Sequence, residues 1–340
     1  MMHPLRPFRS MMRSVIAALL VCLSLAAAAQ PAKSYQYFRV GSERDATPTA
    51  RAGFGLMGGG TDLDSAFAWL CEHSGGGDFL ILRAHGDDDY NPYVQKLCKV
   101  NSVATLLIPS REAAADPYVL GRVKQAEAIF IAGGDQANYI NFWRGTPLES
   151  ALNEAILRRI PIGGTSAGLA VLGEFIYSAQ NDPPDGPDLK SKAALADPFD
   201  HQVVVVRGFL KIPLLHATIT DTHFVARDRL GRLLVFMARV RQQNLVPTLQ
   251  AIAVDQGSAV LLSPDGSAQV TGSGAAYFLR TSSSPAMLKS GTPLSFSGIA
   301  VNKVGPGESF NVKRWTGGHS YNLSVDAGVI YSTQPGGSPY

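Results

Sequence analysis

The segment IPIGGTSAG, residues 160–168, joins a short apolar run to a turn of small residues that contains one serine. Residues 164–168 fit the pattern G-x-S-x-G, behind a predicted strand and in front of a predicted helix over AGLAVLGEF. Such a turn needs small neighbours, because bulky side chains would clash with the flanking strand and helix. The pattern fits either a structural tight turn or a nucleophile elbow that holds out Ser166 to attack a substrate.

Apolar runs and amphipathic stretches alternate on both sides of this turn. The predicted strands are residues 53–60, 78–84, 103–109, 126–134 and 160–164. The stretches between them have helical features, as in residues 146–159, where Thr, Pro and Glu mark a helix N-terminus. Apolar strands that alternate with helices are typical of a parallel sheet covered on both faces. We therefore predict an α/β fold, a mostly parallel sheet flanked by helices, with ligands at the carboxyl ends of the strands.

The pattern of the chain changes after about residue 243. Short predicted strands such as AIAVD, SAVLLS, AQVTG and AAYFLR follow one another with turns between them. We predict three parts: a leader over residues 1–29, an α/β domain over residues 30–280 and a β-rich C-terminal extension over residues 281–340.

The leader has the composition of a secretory signal peptide. Arg6, Arg9 and Arg13 precede the apolar run VIAALLVCLSLAAAA, which ends with Ala27 and Ala29 in an A-x-A arrangement. A membrane anchor is the alternative, but the run is short for a spanning helix. We expect a secreted or periplasmic protein that no longer contacts the membrane once the signal is removed.

Charge and cysteine content limit the possible partners. Without the three leader arginines, 27 basic residues face 27 acidic ones, so charge gives no case for nucleic-acid binding. Cys71 and Cys98 remain after cleavage, and an oxidising compartment would permit a disulfide, with two buried thiols as the alternative.

A nucleophilic serine needs a base, and histidine is the usual one. His223 lies in ITDTHFVARDRLGR, after an apolar run and before a cluster of arginines. Composition alone does not choose it over His216.

Three motifs in order carry a resemblance to a known family. They are GGDQ (133–136), GGTSAG (163–168) and TDTHFVARDRLGRL (220–233). Together they resemble the cyanophycinase branch of the S51 serine peptidases over roughly residues 50–275. These peptidases are related in fold to class I glutamine-amidotransferase-like, flavodoxin-like domains. Members of the family cut the β-aspartyl-arginine isopeptide units of cyanophycin, a polymer with an aspartate backbone and arginine side groups, and others are α-aspartyl dipeptidases.

The resemblance implies a role for each matching residue. Ser166 would be the nucleophile and His223 its base, with backbone amides of Ala167 and of the GGDQ loop at Asp135 forming the oxyanion hole. The residues implied to line the substrate site are Gln136, Asp221, Arg227, Arg229 and Arg232. Arginine forks suit a substrate carboxylate, and a carboxylate such as Asp221 suits a substrate guanidinium. The alternative for the arginines is a solvated helix face.

The third catalytic position departs from the family. Gln256, in AIAVDQGSAV, stands where a strand glutamate is expected. A glutamine can orient histidine by a hydrogen bond but cannot stabilise imidazolium by charge, and replacing the acid by its amide in a Ser-His-Asp enzyme costs about 10⁴ in turnover. Asp255 or Glu174 are possible substitutes. The alternative function is therefore a non-catalytic or weakly active relative that binds Asp/Arg-containing peptides.

Other interpretations have weaker support. An α/β-hydrolase esterase places its acid before its histidine, which is the reverse of the order here. The glycine loop in GGGTDLD (58–64) lacks nucleotide-binding spacing and is expected to close beside the active site. HGDDDYNP (85–92) reads as a solvated loop more readily than as a cation site. No organic cofactor or metal is implied, the expected partner is a peptide or cyanophycin-type polymer, and a homodimer is left open.

Overall fold

The computed structural model describes Met1, residues 33–183 and residues 188–340. The cleavable leader predicted over residues 1–29 lies, apart from Met1, outside the described residues. The chain divides into two units, Met1–Lys33 and Ser34–Tyr340, and the second contains the elements that follow. Within the described part of the chain, every helix is too short or too polar to cross a membrane.

The described residues after Lys33 contain nineteen strands and eight α-helices. The strands are β1 (Gln36–Gly41), β2 (Phe54–Met57), β3 (Asp78–Arg83), β4 (Ser102–Leu107), β5 (Ala128–Ile131), β6 (Ile162–Thr165), β7 (Phe175–Tyr177), β8 (Val205–Arg207), β9 (Thr218–Asp221), β10 (Leu249–Val254), β11 (Ser258–Leu262), β12 (Ser267–Gly272), β13 (Ala276–Thr281), β14 (Met287–Lys289), β15 (Thr292–Val304), β16 (Ser309–Asn311), β17 (Thr316–Gly317), β18 (His319–Asp326) and β19 (Val329–Ser332). The helices are α1 (Asp64–His73), α2 (Tyr90–Leu97), α3 (Pro117–Gln125), α4 (Gln136–Phe142), α5 (Pro147–Leu157), α6 (Ala167–Ala170), α7 (Ser191–Ala196) and α8 (Leu230–Gln242).

The first sheet has a parallel centre in the order β4-β3-β5-β6-β2. Successive residues of β3 point to opposite faces, as strand geometry requires. Phe79 and Ile81 pack with residues of α1 and α2, whereas Leu80 and Leu82 pack with residues of α3 and α5. Helices therefore cover both faces of a large sheet, which confirms the predicted α/β architecture.

The strands outside that centre are mostly antiparallel. In the first sheet β1 pairs antiparallel with β4, and β11, β12, β16 and β17 extend the other side antiparallel. The second sheet has the order β19-β18-β15-β13-β10-β9-β7-β8, with parallel pairing between β7, β9 and β10. The prediction of a mostly parallel sheet thus holds for the centre of the first sheet and, in the second sheet, for β7, β9 and β10. Strands joined by tight turns must run antiparallel, since parallel pairs need long crossovers.

The predicted C-terminal extension consists largely of strands that continue both sheets. β16 and β17 add to the first sheet through β12, and β15, β18 and β19 add to the second through β13. The β-rich character expected for residues 281–340 is present. The domain boundary expected at residue 280 stays a prediction.

Cys71 and Cys98 form a disulfide, with 6.1 Å between their Cα atoms. Cys71 belongs to α1 and Cys98 follows α2 directly, and both side chains are buried. The sequence left a disulfide and free thiols open, and the structure selects the disulfide. The bond links two helices that cover the same face of the parallel strands.

Candidate active site

Ser166 stands between β6 and α6 in a conformation that non-glycine residues rarely adopt. Its φ is +52° and its ψ is −118°. Such a conformation costs about 1–3 kcal/mol and persists only where the surroundings impose it. Here the Ser166 backbone N–H donates to the Met57 carbonyl over 3.1 Å, and two glycines let the surrounding backbone approach closely. A Cβ on Gly164 would lie 2.6 Å from the Gly168 backbone, and one on Gly168 would lie 2.0 Å from the Ile131 carbonyl oxygen. The motif therefore forms the sharp turn that its small residues predict.

The helix behind this serine is shorter than predicted. AGLAVLGEF was expected to be helical, but α6 ends at Ala170, after four residues. Gly173 explains the early end, because a Cβ there would lie 2.8 Å from the Thr218 carbonyl oxygen in the neighbouring strand. A single helical turn has little macrodipole, so stabilisation of negative charge at Ser166 depends on individual amides rather than on a helix.

His223 directly contacts the serine. The distance between Ser166 Oγ and His223 Nε2 is 2.7 Å. His223 follows β9 with a φ of +47°, and its backbone N–H donates to the Gly58 carbonyl. A Cβ on Gly59 would lie 2.4 Å from the imidazole and 3.0 Å from Ser166 Cβ. The glycine loop therefore closes directly over the pair, as the sequence analysis expected.

His216, the alternative base, lies elsewhere. Its side chain is 72% exposed, and its Nε2 lies 3.6 Å from a carboxylate oxygen of Glu174. The geometry therefore selects His223, a choice that composition could not make.

Gln256 contacts the other nitrogen of the imidazole. It lies in the turn between β10 and β11, not within a strand, and its Nε2 donates to His223 Nδ1 over 2.7 Å. In that orientation the proton of a neutral ring sits on Nε2, where it points at Ser166 and blocks proton transfer. If the amide turns by half a rotation, Oε1 accepts from Nδ1–H and Nε2 can take the serine proton. The amide orientation thus decides which tautomer is present.

The two possible substitutes for the missing glutamate are occupied elsewhere. Asp255 Oδ1 accepts hydrogen bonds from the backbone amides of Val225 and Ala226, over 3.1 and 3.0 Å. Glu174 pairs with Arg207 at 2.8 Å and accepts from a backbone amide. Among the described residues, no carboxylate hydrogen-bonds to His223. Neither Asp255 nor Glu174 therefore replaces the missing glutamate.

The surroundings of His223 favour its neutral form. Burial, followed by the nearby cations Arg227 and Arg229, lowers the pKa of the imidazole to about 4, and Asp221 and Asp188 oppose this only partly. The ring is therefore uncharged at neutral pH, as a general base must be. It is also a weak base, because burial and the two arginines outweigh the two carboxylates and, among the described residues, no carboxylate hydrogen-bonds to the ring.

A polar cavity of about 560 Å³ opens beside the serine. Its lining includes Ser166, Asp135, Gln136, Arg227 and Arg229. Four residues predicted from the sequence thus meet the nucleophile in one concave space. The cavity is large enough for a dipeptide-sized ligand.

Each predicted oxyanion-hole residue lies close to the nucleophile in the chain or in the cavity. Ala167 follows Ser166 and is 2% exposed. Asp135 lines the cavity, and its carboxylate accepts from the Ala137 amide at the start of α4. Their oxyanion role stays a prediction.

Asp221 and Arg232 lie behind this cavity rather than in its lining. Arg232 Nε donates to Asp221 Oδ2 over 3.0 Å, and the two residues are 1% and 3% exposed. Arg229 adds a second cation 3.7 Å from Asp221. The sequence predicted that both would touch substrate. Because Asp221 and Arg232 already neutralise each other in the protein interior, the pair supports the cavity wall instead. The burial of Arg229 and Arg232 also rules out the alternative that these two arginines lie on a solvated helix face.

Asp188 and Asp182 also line the cavity, and the sequence analysis did not select either of them. Asp188 forms ion pairs with Arg229 and, at 3.3 Å, with Arg232, which hold the pKa of its carboxyl well below the usual range. Asp182 accepts a hydrogen bond from the Tyr177 hydroxyl. The sequence around them, QNDPPDGPDLKSK (180–192), is polar and rich in Pro and Gly, a composition that predicts a surface loop but does not indicate which acids would face inward.

One aspartate of the segment HGDDDYNP is already ion-paired. Asp87 pairs with Arg83 at 3.0 Å. In the part of the chain that the structure describes, no three His, Cys, Asp or Glu side chains are grouped so as to hold a metal ion.

The sequence of this chain is similar to that of one known protein family. The sequence model of Peptidase family S51 matches residues 84–266. The cyanophycinase of Synechococcus elongatus is 25% identical over 219 residues, which are 63% of this chain and 62% of the relative. The cyanophycinase of Geminocystis herdmanii is 26% identical over 196 residues, 56% of this chain and 64% of the relative. The chain thus spans less than two thirds of the length of these curated relatives.

Two solved structures show a more distant similarity. A peptidase from an acI-B1 Actinobacterium matches with a TM-score of 0.49 at 18% identity, covering 77% of this chain and 98% of that one. A putative peptidase E protein from Listeria monocytogenes EGD-e matches with a TM-score of 0.42 at 12% identity, covering 66% and 99%.

Proposed function

The chain belongs to peptidase family S51, and from this premise we propose that it is a cyanophycinase-like serine exopeptidase that hydrolyses aspartyl peptide or β-aspartyl-arginine isopeptide bonds. The observation that carries the proposal is the 2.7 Å contact between Ser166 Oγ and His223 Nε2 at the mouth of a charged cavity. A nucleophile and a base within hydrogen-bond reach are the requirement for acyl transfer through a serine.

The reaction proceeds in two halves. Ser166 Oγ attacks the carbonyl carbon while His223 Nε2 takes its proton, and the carbon–nitrogen bond then breaks as the imidazolium returns that proton to the leaving amine. Water attacks the acyl-enzyme in the same way and restores the serine hydroxyl. Both halves require the Gln256 amide with its oxygen towards Nδ1, because Nε2 must be unprotonated.

Backbone amides hold the developing negative charge. The amide of Ala167, beside the nucleophile, and that of Asp135, in the cavity wall, are the proposed donors. Since α6 has four residues, these individual donors supply what a longer helix would have contributed.

The cavity contains charged side chains that suit a substrate with both a carboxylate and a guanidinium group. Arg227 is exposed and, among the described residues, forms no ion pair, so it is free to meet a substrate carboxylate, with Gln136 as a neutral neighbour. Asp182 lies in the same cavity and takes the role for a substrate guanidinium that the sequence assigned to Asp221, whereas Asp188 is already paired with Arg229 and Arg232. Asp221 and Arg232 set the position of Arg229 and Asp188 through their ion pairs.

We also propose that the protein acts outside the cytoplasm, secreted or in the periplasm. The composition of residues 1–29 is the main support. The Cys71–Cys98 disulfide adds to it, because disulfides persist in oxidising compartments.

The decisive experiment incubates the purified mature protein with cyanophycin and follows release of β-aspartyl-arginine by mass spectrometry. Ser166→Ala removes the nucleophile, and Ser284→Ala, at an exposed serine in the C-terminal extension, is the matched control. We expect product from the unchanged protein and from the control, and none from Ser166→Ala. A folded protein that releases no product from cyanophycin or from α-aspartyl dipeptides contradicts the proposal.

The alternative is a relative that binds Asp/Arg-containing peptides without cleaving them. The observation in its favour is the contact of Gln256, rather than a carboxylate, with His223. Calorimetric binding of β-aspartyl-arginine, without turnover and without fluorophosphonate labelling of Ser166, would establish this function instead.

A further inference from the structure

The turn after β9, residues 223–229, carries three groups of the proposed site: His223, Arg227 and Arg229. We call it the histidine turn. It has a left-handed residue near each end, with a φ of +47° at His223 and +49° at Asp228. Residues with a Cβ avoid this conformation, so the turn keeps its shape only because other parts of the chain hold it.

Tyr340 contacts the histidine turn near both of its ends. Its ring packs edge-on against Phe224, the neighbour of His223, with 5.6 Å between the centroids. Its hydroxyl donates to Asp228 Oδ1 over 2.8 Å and accepts from the Leu230 backbone N–H over 3.1 Å. One side chain therefore spans the turn from the residue after the histidine to the first residue of α8.

The hydroxyl takes the place of a helix cap. Arg229 is the N-cap residue of α8 and its side chain makes no capping hydrogen bond. The first amides of a helix need an acceptor from outside the helix, which Ser, Thr, Asp or Asn at the N-cap usually supplies. The Tyr340 hydroxyl is the acceptor for the Leu230 backbone N–H, although Tyr340 lies 110 residues further along the chain.

Residues of the C-terminal extension and one residue of β13 hold Tyr340 in place. The Tyr321 hydroxyl, on β18, donates to the Pro339 carbonyl over 3.1 Å, and Gln334 Nε2 donates to the Ser338 carbonyl over 2.9 Å. The Tyr277 ring, on β13, lies 6.0 Å from the Tyr340 ring. The tyrosine is thus anchored to the second sheet on one side and contacts the histidine turn on the other.

We propose that Tyr340 is a positioning residue of the active site, through which the C-terminal extension holds the histidine turn in its working geometry. Tyr340 lies outside residues 84–266, which the family model matches, so family membership assigns it nothing. The inference rests on the proposed function in one respect, namely that His223 is the base whose position matters.

The charged groups around His223 determine what a loosened turn would do. Arg227 and Arg229, on the turn itself, lower the pKa of the imidazole, and Asp221 and Asp188 raise it. Burial is the largest cause of the low pKa. A turn that relaxes admits water to the ring and lets the two arginines move away. Both changes raise the pKa of His223.

The test measures the pKa of His223 by NMR on histidine-labelled full-length mature protein, with the signal assigned by His223→Gln. Tyr340→Phe keeps the ring contacts and removes both hydroxyl hydrogen bonds, whereas Tyr340→Ala removes all of these contacts. Tyr331→Phe, at a tyrosine on β19 that is 54% exposed, is the matched control. The rate at which a fluorophosphonate labels Ser166 is the second measurement, because it depends on the base and not on substrate contacts.

We expect Tyr340→Ala to raise the pKa of His223 by about one unit and to slow labelling about tenfold. Tyr340→Phe should show a smaller change in the same direction, and Tyr331→Phe none. A purely structural role for Tyr340 would lower the thermal midpoint but leave both measurements on the folded protein unchanged, and that result overturns the proposal.

Failure of the proposed function gives a different result. If the unchanged protein neither labels nor cleaves peptides while Tyr340→Ala still shifts the pKa of His223, the peptidase proposal fails and the positioning role stands. If the unchanged protein is active and both Tyr340 variants match it, the positioning role fails and the peptidase proposal stands.

Discussion

The two turns that form the catalytic pair are held in place in different ways. The turn at Ser166 gets its shape from its own small residues, because Gly164 and Gly168 permit close contacts, with each other and with the Ile131 carbonyl, that any Cβ would prevent. The turn at His223 gets its shape from distant residues, through amide hydrogen bonds to Asp255 and contacts with Tyr340. One turn is encoded locally and the other by tertiary contacts.

This difference determines how each turn should respond to substitution. A turn that depends on its own small residues touches the rest of the chain through backbone groups, so it fails chiefly when those small residues change. A turn held by tertiary contacts loses function in steps as individual contacts are removed. The following predictions separate the two cases, starting with the largest expected effect.

Gly168→Ala should abolish activity and destabilise the fold. The added Cβ would lie 2.0 Å from the Ile131 carbonyl oxygen, so the strand or the turn must move, at a cost of about 3 kcal/mol or more. Gly121→Ala is the matched control, because its Cβ meets nothing within 4 Å in α3, and it should stabilise by about 0.5–1 kcal/mol. Urea denaturation and fluorophosphonate labelling measure both effects. An active, stable Gly168→Ala would show that the serine turn is not encoded locally.

Gln256→Glu should raise kcat by about 10-fold or more, since the reverse change in a Ser-His-Asp enzyme costs far more. A carboxylate beside Nδ1 favours the charged imidazolium, so it raises the pKa of His223 from about 4. Activity needs the neutral ring and is lost as pH falls through that pKa. The acid limb should therefore lie near pH 4 in the unchanged protein and move upward in the variant.

The pH profile of kcat/KM measures this shift, with Gln269→Glu on the exposed side of β12 as the control. An unchanged profile in Gln256→Glu would mean that residue 256 does not orient the histidine during turnover.

Asp255→Ala should lower kcat by about 10-fold, because it removes the charge-assisted hydrogen bonds to the amides of Val225 and Ala226. Asp255→Asn keeps an acceptor oxygen and should retain more activity. Asp265→Ala, in an exposed turn, is the control and should behave as the unchanged protein. Equal activity in all three variants would show that the histidine turn does not need this anchor.

Arg227→Gln should raise KM for substrates that carry a carboxylate by about 10-fold and leave kcat nearly unchanged, because it removes one charge-assisted contact in the ground state. Esters without a carboxylate should be turned over as before. Arg314→Gln, an exposed arginine far along the chain, is the control. A fall in kcat on neutral esters would instead show that Arg227 stabilises the turn itself.

The features that could be predicted from the sequence are, like the serine turn, those that depend on neighbouring residues. The G-x-S-x-G motif and its flanking apolar strand identified Ser166 and the parallel centre of the first sheet, because both depend on neighbouring residues. The predicted helix over AGLAVLGEF failed because Gly173 packs against a strand that lies some 45 residues later in the chain. The antiparallel outer strands also escaped prediction, since pairing partners are set by chain topology.

The structure places three of the predicted substrate-site residues in the cavity lining, namely Gln136, Arg227 and Arg229. It places Asp221 and Arg232 behind the lining, where they pair with each other. Residue type could not separate Arg229 from Arg232, because the two are close in sequence and both pair with Asp188 and Asp221 after folding, yet only Arg229 lines the cavity. Asp188 reached the site through a segment whose composition indicated only a surface loop.

The sequence by itself determined the serine turn, the alternation of strands and helices and the absence of a glutamate at position 256, because each follows from residue type and local spacing. Composition left His223 and His216 open as bases, and the tertiary structure decided between them, as it decided that Arg227 stays without an ion pair among the described residues and that Tyr340 contacts the histidine turn. These depend on contacts between segments that are distant in the chain, and no local pattern records such contacts.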